Sequence, residues 1–358
     1  MYDFTGMIQG INNWLHSILP DMAATFVGWV LVGAIYLAIF AVLGLVLVLA
    51  ERKIAAFFQL RLGPNRIGPW GLFQTVADAI KLLLKEPVGT TRADSFLYNL
   101  APYFVILAAL LSMSVLPFAK GLQAFDIDIG IFFMIAMSSL GVMGILLGGW
   151  ASNNKYALLG AMRSGAQMIS YELSVGLSIL TIVLLSGSLK MSEIVTAQSD
   201  YWNIFKGHIP AVIAFMIFTI AGTAETNRTP FDLTEAESEL GAGFHTEYSG
   251  LKFAFFFLSE FVNMFIISAV AATIFLGGWM PLHLGGLEGF NHLMDFIPGI
   301  FWFLGKVGFM IFLMMWFRWT FPRLRIDQLL KLEWKYLLPL NLMNILLMAL
   351  IVLMGWHL

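Results

Sequence analysis

Eight apolar stretches of roughly bilayer length recur along this 358-residue chain and constrain its fold more than any other feature. A span must satisfy its backbone hydrogen bonds internally, and an apolar helix does so. The predicted spans cover residues 22–50, 95–117, 130–150, 164–187, 209–224, 251–277, 297–319 and 332–356. The chain is 59% hydrophobic and 12% charged, which excludes an ordinary soluble domain. The sequence predicts an all-α polytopic membrane protein with about eight transmembrane helices. It shows no internal repeat or linker, so residues 1–358 are expected to form one domain.

The first apolar stretch is interpreted as a span that is not cleaved. Residues 1–21 contain neither Lys nor Arg, so they lack the basic start of a secretory signal. Residues 22–50 are also longer than the apolar core of such a signal. We therefore expect this stretch to form the first membrane helix.

Lys and Arg are unevenly shared between the two sides of the predicted bundle. Most of them lie in or beside four segments, residues 51–94, 151–163, 225–250 and 318–331. The opposite side carries only Lys120, Lys190 and Lys206. Because cytoplasmic loops are enriched in Lys and Arg, the four segments are predicted to be cytoplasmic and both termini to lie outside the cytoplasm.

The absence of Cys removes several kinds of redox site. Without Cys the chain can form neither a disulfide nor the thiolate ligands of an iron–sulfur cluster. None of the six His lies inside a predicted span, which argues against a haem held by two His in the bilayer. No metal site is predicted. Any redox cofactor is therefore expected on a partner chain.

An acid-rich segment over residues 225–250 separates two apolar stretches. It contains one basic residue near its start, Arg228, and six acids: Glu225, Asp232, Glu235, Glu237, Glu239 and Glu247. Such an excess of acidic over basic residues is unusual for a cytoplasmic loop, where Lys and Arg are normally enriched. Two interpretations remain open: a solvated acidic loop, or a charge site held at the membrane face.

The first cytoplasmic segment, residues 51–94, is amphipathic. Residues 51–62 place Phe57 and Phe58 on an apolar face beside basic residues, which suits a helix lying in the membrane interface. Gly and Pro at 63–71 then break the pattern, and helical periodicity resumes over residues 70–86. The pair could simply cover the bundle, or it could form a lateral gate for a molecule that enters from the lipid.

Three ionisable residues are predicted inside spans, where a charge costs at least about 2.5–3.5 kcal/mol on insertion scales. They are Glu172, Glu260 and Lys306. Lys306 could pair with one Glu as a structural ion pair. Several acids share few cations, however, so some are expected to stay protonated or to exchange protons through water, as a proton path requires. Gly144 and Gly148 form a GxxxG pattern that we interpret as helix packing.

Three segments together resemble the quinone-chamber membrane subunit of respiratory complex I, the NADH:quinone oxidoreductase. The first comprises residues 51–53 (ERK), 59–71 (QLRLGPNRIGPWG), 77–81 (ADAIK) and 85–87 (KEP). The second comprises residues 225–240 (ETNRTPFDLTEAESEL) with 247–248 (EY), and the third residues 317–330 (FRWTFPRLRIDQLL). The resemblance runs from about residue 25 to about residue 345.

The resemblance implies a membrane subunit of a proton-translocating enzyme in the bacterial cytoplasmic (inner) membrane. Such a subunit forms the membrane part of the quinone chamber, anchors the soluble peripheral arm and starts the proton path. Quinone is the substrate, while NADH, FMN and iron–sulfur clusters are expected on partner subunits, and no catalytic residue is assigned in this chain. The implied chamber residues are Phe57, Arg61, Asp78, Lys81, Arg228 and Asp232. The implied proton path comprises Glu172, Glu225, Glu260 and Lys306, and the implied arm contacts are Glu235, Glu237 and Glu239.

Other functions remain open at this point. A homologous membrane component of a membrane-bound hydrogenase or formate-oxidising complex would share the bundle and the acids. A secondary transporter would use an intramembrane carboxylate, but such folds often show paired halves, which this sequence lacks. A membrane scaffold would need none of the buried ionisable residues.

Overall fold

The computed structural model describes residues 3–233, 241–283 and 288–356. Within these residues, eight helices are long and apolar enough to cross a membrane, which confirms the predicted number and the all-α class. They are, as first to eighth spanning helix, Asp21–Phe58, Ser95–Ser114, Gly130–Ala151, Lys155–Ser186, His208–Glu225, Gly250–Phe275, Gly299–Thr320 and Ile326–Met354. Glu235, Glu237 and Glu239 lie outside the described residues.

The first spanning helix differs most from its prediction. The expected separate interfacial helix over residues 51–62 is wrong, because one continuous helix of 38 residues runs from Asp21 to Phe58. Residues 51–58 (ERKIAAFF) contain no helix breaker, and the first one is Gly63. At a rise of 1.5 Å per residue this helix is about 57 Å long, so it extends well beyond a bilayer core of about 30 Å.

The fourth spanning helix begins earlier than predicted, at Lys155 rather than near residue 164. The side chain of Asn154 caps it by accepting a hydrogen bond from the Tyr156 N–H at 2.9 Å. The added residues include the charged Lys155 and Arg163, because charged side chains do not interrupt a helix. The helix ends at Ser186.

The short helices lie at the ends of the bundle. Thr5–Ile18 precedes the first spanning helix, and Phe73–Leu84 follows it. The latter confirms the predicted second amphipathic helix. Among the described residues, the remaining α-helices outside the spans are Met191–Thr196, Asn203–Lys206 and Glu288–Asp295, and short 3₁₀ helices lie at Pro69–Gly71 and Gly243–His245.

The eighth spanning helix is irregular at its start. An α-helical turn at Ile326–Lys331 leads into a π-helical segment, Leu332–Leu337, and then into the α-helix Leu338–Met354. A π-helical turn closes hydrogen bonds over five residues instead of four.

The fourth, fifth and sixth spanning helices form the centre of the bundle, since their apolar windows are the most buried, at 56%, 56% and 61%. The first spanning helix is peripheral at 17%. Gly144 supports the interpretation of the GxxxG pattern as packing: a Cβ there would lie 2.5 Å from the Val105 side chain of the second spanning helix.

Contacts join the four basic segments at one end of the bundle, called the basic end below. The Asp94 N–H donates to the Ala151 carbonyl at 3.1 Å, and the Tyr98 hydroxyl donates to the Glu247 carbonyl at 2.7 Å. The Leu324 N–H donates to the Pro230 carbonyl at 2.9 Å. Segments that were predicted to share one side of the membrane therefore share one end of the structure.

Candidate functional site

A network of buried ion pairs lies at the basic end. Glu51 accepts a hydrogen bond from Nη1 of Arg228 at 2.8 Å, and Nη1 of Arg318 lies 2.5 Å from the other carboxylate oxygen of Glu51. Nε of Arg228 also lies 3.7 Å from Oε1 of Glu260. The Arg228 side chain is 4% exposed and that of Glu51 11%, so neither charge relies on bulk water.

The turn after the fifth spanning helix places Arg228. The helix ends at Glu225, and Asn227 adopts the left-handed region at φ 51°. The Arg228 N–H then donates to the Thr223 carbonyl at 3.4 Å, so the chain turns back against its own helix. The Gln167 side chain holds both sides of this turn by donating to the carbonyls of Ala224 at 2.8 Å and Phe231 at 2.9 Å.

These ion pairs line a cavity of about 430 Å³, called the basic-end cavity below. Its charged groups are three carboxylates and four cations, supplied by Glu51, Asp232, Glu260, Arg52, Arg61, Arg228 and Arg318. Its apolar wall includes Ala55, Ala56, Phe257 and Phe261. The size and the combination of an apolar wall with charged groups suit a small organic ligand that carries polar atoms.

The amphipathic helix Phe73–Leu84 is attached to this cavity through Arg52. Nη1 of Arg52 lies 2.6 Å from Oδ2 of Asp78, and Nζ of Lys81 lies 3.6 Å from Oδ1 of Asp78. Burial acts to raise the pKa of Asp78, but the hydrogen bond and charge of Arg52 outweigh it and hold that pKa below its usual value. Asp78 is therefore an anion that ties the helix to the cavity rim.

Two smaller cavities continue from the basic-end cavity into the bundle. Glu260 also lines a cavity of about 30 Å³, which it shares with Glu225 and His245. Glu225 in turn lines a cavity of about 40 Å³ together with Glu172. Each has room for about one or two water molecules. The three carboxyl groups therefore occur in series, each sharing a cavity with the next.

The two inner carboxyl groups have neutral surroundings. Glu172 accepts hydrogen bonds from the hydroxyls of Ser138 at 3.2 Å and Ser139 at 2.5 Å. Oε2 of Glu225 is buried and has no hydrogen-bond partner among the described residues. Neither Glu172 nor Glu225 forms an ion pair with the described residues, whereas Glu260 lies beside Arg228.

The suggested pairing of Lys306 with one of these acids is wrong. Nζ of Lys306 donates to the carbonyls of Gly278 at 2.9 Å and Met280 at 2.6 Å. It also lies 4.4 Å from the centre of the Trp202 ring. These groups belong to the end of the bundle opposite the basic end, so backbone carbonyls between the sixth and seventh spanning helices hold Lys306.

The structure thus brings together only part of the predicted site. Arg61, Arg228, Asp232 and Glu260 line the basic-end cavity, and Asp78 and Lys81 are linked to it through Arg52. Phe57 does not line it: its side chain is 76% exposed on the outside of the first spanning helix, while the neighbouring Ala55 and Ala56 face the cavity.

Sequence reasoning missed three charged residues that are buried or half-buried. Glu51 and Arg318 form the centre of the ion-pair network, and Glu333 is 0% exposed in the eighth spanning helix. Glu51 lies at the start of the string ERK and was interpreted as part of a surface helix. The sequence does carry a signal for Glu51. Residues 21–58 contain no break in the helical pattern, so Glu51 can be assigned to the first spanning helix rather than to a separate surface helix.

Known proteins resemble the chain over its whole length. A family model described as NADH dehydrogenase matches residues 31–349. The H subunit of the NADH-quinone oxidoreductase of Bacteroides fragilis is 58% identical over 357 residues, covering 100% of both chains. The H subunits from Brevibacillus brevis and Rickettsia bellii are 49% and 50% identical, over 95% and 86% of this chain and 97% and 89% of theirs. The chain therefore belongs to the NADH dehydrogenase family of membrane subunits, together with the H subunits of NADH-quinone oxidoreductases.

Proposed function

We propose that this chain is the membrane subunit of a proton-pumping NADH:quinone oxidoreductase that forms the membrane wall of the quinone chamber. The observation that carries the proposal is the basic-end cavity, about 430 Å³ in volume, which connects through Glu260 to further buried carboxyl groups. In this proposal NADH, FMN and the iron–sulfur clusters belong to partner subunits. Quinone is a substrate that the chain shares with them.

The cavity has the chemistry that quinone reduction needs. A quinone takes up two electrons and two protons, and negative charge develops on its oxygens before the protons arrive. Arg228 and Arg318 are fixed by Glu51, so they offer preorganised positive charge at low cost in reorganisation. The aromatic rings of Phe257 and Phe261 provide an apolar wall for the ring or the first part of the tail.

The carboxyl groups in series provide the start of the proton path. Glu260 touches the basic-end cavity, Glu225 shares the next cavity with it, and Glu172 shares the third with Glu225. Protons can pass between such groups through single water molecules, provided that each group exchanges its proton. Lys306 lies at the opposite end of the bundle and is not an ion-pair partner of these carboxyl groups. In the proposed path, protons would reach Lys306 only after they have passed the carboxyl groups.

The basic end is also the proposed docking face for the peripheral arm. Arg323 is 50% exposed and pairs with Asp232, so positive and negative groups occur side by side on this face. Glu235, Glu237 and Glu239 would add negative charge from the same loop. Opposite charges on one face favour a partner with a complementary pattern.

The proposed location is the bacterial cytoplasmic membrane, with the basic end in the cytoplasm and both termini outside. Because the chain has no Cys, single Cys residues can be introduced at position 61 and at position 190 and labelled from either side. We expect a membrane-impermeant reagent to reach Cys at 190 in intact cells and Cys at 61 only in inverted vesicles. The reverse pattern would overturn the orientation.

The function is tested on the whole complex, purified through a tag on this chain. We expect flavin and iron–sulfur subunits to co-purify, with NADH oxidation by both quinone and ferricyanide. Arg318→Gln should lower the quinone activity, because it removes one of the two cations on Glu51, while the ferricyanide activity of the peripheral arm stays unchanged. Glu193→Gln, at the opposite end, is the control. Co-purification of a nickel–iron hydrogenase subunit, or of no redox subunit, would overturn the proposal.

A further inference from the structure

One fully buried carboxyl group lies outside the cavities described above. Glu333 is 0% exposed and lies in the π-helical segment Leu332–Leu337 of the eighth spanning helix. The Ser174 hydroxyl of the fourth spanning helix donates to its Oε1 at 2.5 Å. Its Oε2 has no hydrogen-bond partner among the described residues. A buried carboxyl group with a single neutral donor destabilises a helix interface compared with an apolar side chain, so simple packing does not explain it.

Glu333 begins a polar seam on the eighth spanning helix. The Asn341 side-chain amide donates to the Ser174 carbonyl of the fourth spanning helix at 3.0 Å, and the Ser178 hydroxyl donates to Oδ1 of Asn341 at 3.2 Å. Farther along the eighth helix, the Asn344 amide donates to the Pro210 carbonyl of the fifth spanning helix at 2.9 Å. From Glu333 to Asn344 the seam covers about 16 Å along the helix, roughly half the thickness of a bilayer core.

No positive charge is buried with Glu333 on its own helix. Lys331 and Lys335, the cations nearest to it in sequence, are both exposed. On the fourth spanning helix its neighbours are the hydroxyl of Ser174 and the ring of Tyr171, whose hydroxyl donates to the Leu329 carbonyl at 3.0 Å. The surroundings of Glu333 are therefore neutral, and a negative charge there is stabilised only by hydrogen bonds.

Packing links this region to the basic-end cavity. The Tyr171 ring lies 5.5 Å from the ring of Phe231, the residue directly before Asp232 in the cavity wall. Its hydroxyl contacts Leu329, one helical turn before Glu333. Tyr171 is 0% exposed and therefore lies in a close-packed interior. A shift of the Phe231 ring would for this reason also displace Tyr171.

We propose that Glu333 is a proton-binding residue that takes up and releases one proton during turnover. The step involves no electrons: a carboxylate and a hydronium ion give the neutral acid and water, and the reverse step returns the proton to water. The π-helical segment offers a means of control, because its conversion to α-helical geometry would rotate Glu333 by roughly one residue, about 100°, relative to Ser174. This inference rests on the proposed function, since the turnover in question is quinone reduction.

The test is infrared difference spectroscopy on the purified whole complex, between its oxidised and NADH-reduced states. We expect a carbonyl band of a protonated carboxylic acid that shifts in D2O and disappears in Glu333→Gln. Ser174→Ala should shift this band without removing it, because it deletes the donor to Oε1. Glu193→Gln is the matched control: that carboxylate accepts a hydrogen bond from the Ser188 hydroxyl at 2.6 Å but is exposed at the opposite end.

Measurements of proton pumping and electron transfer distinguish a proton-exchanging Glu333 from one that only forms a hydrogen bond. Gln keeps the hydrogen bond to Ser174 but cannot exchange a proton, so Glu333→Gln should lower the number of protons pumped per electron while NADH:ferricyanide activity is retained. Unchanged spectra and unchanged pumping in Glu333→Gln would overturn the inference. If this variant fails to assemble, Ser174→Ala decides: an unshifted band overturns the inference, and a shifted band supports it. A wild-type complex without NADH:quinone activity would instead refute the proposed function.

Discussion

Glu260 and Glu225 line the same small cavity, yet the charges around them differ. Glu260 lies 3.7 Å from Nε of Arg228, within a network where Glu51 bridges Arg228 and Arg318. Glu225 has a buried oxygen without a hydrogen-bond partner in the described part of the chain. The comparison separates two environments of a carboxyl group. Glu51 and Glu260 lie against arginine side chains and help to fix their positions, whereas Glu225 has no ion pair with the described residues.

The largest effect is expected from removing Arg228, the arginine beside Glu260. Arg228→Met leaves Glu51 with one cation and removes the guanidinium that lies beside Glu260. Removing one partner of a buried ion pair typically costs about 3–5 kcal/mol, because the other charge stays buried. We therefore expect Arg228→Met to prevent stable assembly, measured as loss of this chain from the purified complex.

A matched change at a half-exposed pair provides the control. Lys120 pairs with Asp3 at 3.1 Å, and the two side chains are 56% and 42% exposed, so water compensates for the loss of the lysine charge. Lys120→Gln should cost about 0–1 kcal/mol and leave assembly intact. Equal loss of assembly in the two variants would show that burial does not distinguish the pairs.

The spanning helices that carry these carboxyl groups can be predicted from the sequence, but the contacts between their side chains cannot. Hydropathy and the distribution of Lys and Arg suffice for the spans and for the grouping of basic segments at one end. Local patterns cannot show that Arg228 turns back into the bundle, because this depends on the left-handed turn at Asn227 and on Gln167 of another helix. For this reason Glu51 and Arg318 were treated as surface charges.

The same limit explains the error on Lys306 and the omission of Glu333. The carbonyls of Gly278 and Met280 satisfy Lys306, and a backbone carbonyl leaves no mark in a sequence. Glu333 lies between the exposed Lys331 and Lys335, where an acid is typical of a solvated helix end. Only the packing of the fourth spanning helix against this turn buries it.

An intermediate effect, on activity rather than on assembly, is expected from changing Glu225. Gln has the shape of Glu but no exchangeable acid proton, so Glu225→Gln should interrupt transfer between the two small cavities. We expect a loss of at least about ten-fold in NADH:quinone activity, since general acid–base groups contribute factors of about 10² or more. The NADH:ferricyanide activity and the assembly of the complex should be retained.

The corresponding variant beside the arginines should fail differently. Glu51→Gln removes the anion that Arg228 and Arg318 share, so the buried Arg228 and the half-buried Arg318 lose their common partner. Assembly should then fall before activity can be compared. Full quinone activity and pumping in Glu225→Gln would remove Glu225 from the path and leave the arginine network as the only functional part of the site.

The smallest effect concerns His245, which lines the cavity between Glu225 and Glu260 and lies outside the spanning helices. Burial lowers its pKa to about 4 from a usual value of 6.5. Below about pH 6.5 the unfolded chain therefore binds a proton that the folded chain does not, and stability falls as the pH decreases toward 4. From pH 7 to pH 5.5 the loss should be about 1 kcal/mol. The measurement is the unfolding temperature of the complex in detergent, followed by tryptophan fluorescence, for wild type and His245→Phe. The variant should lose this part of the pH dependence, whereas identical pH profiles would show that His245 is accessible to water and adds no charge to the cavity that Glu225 and Glu260 share.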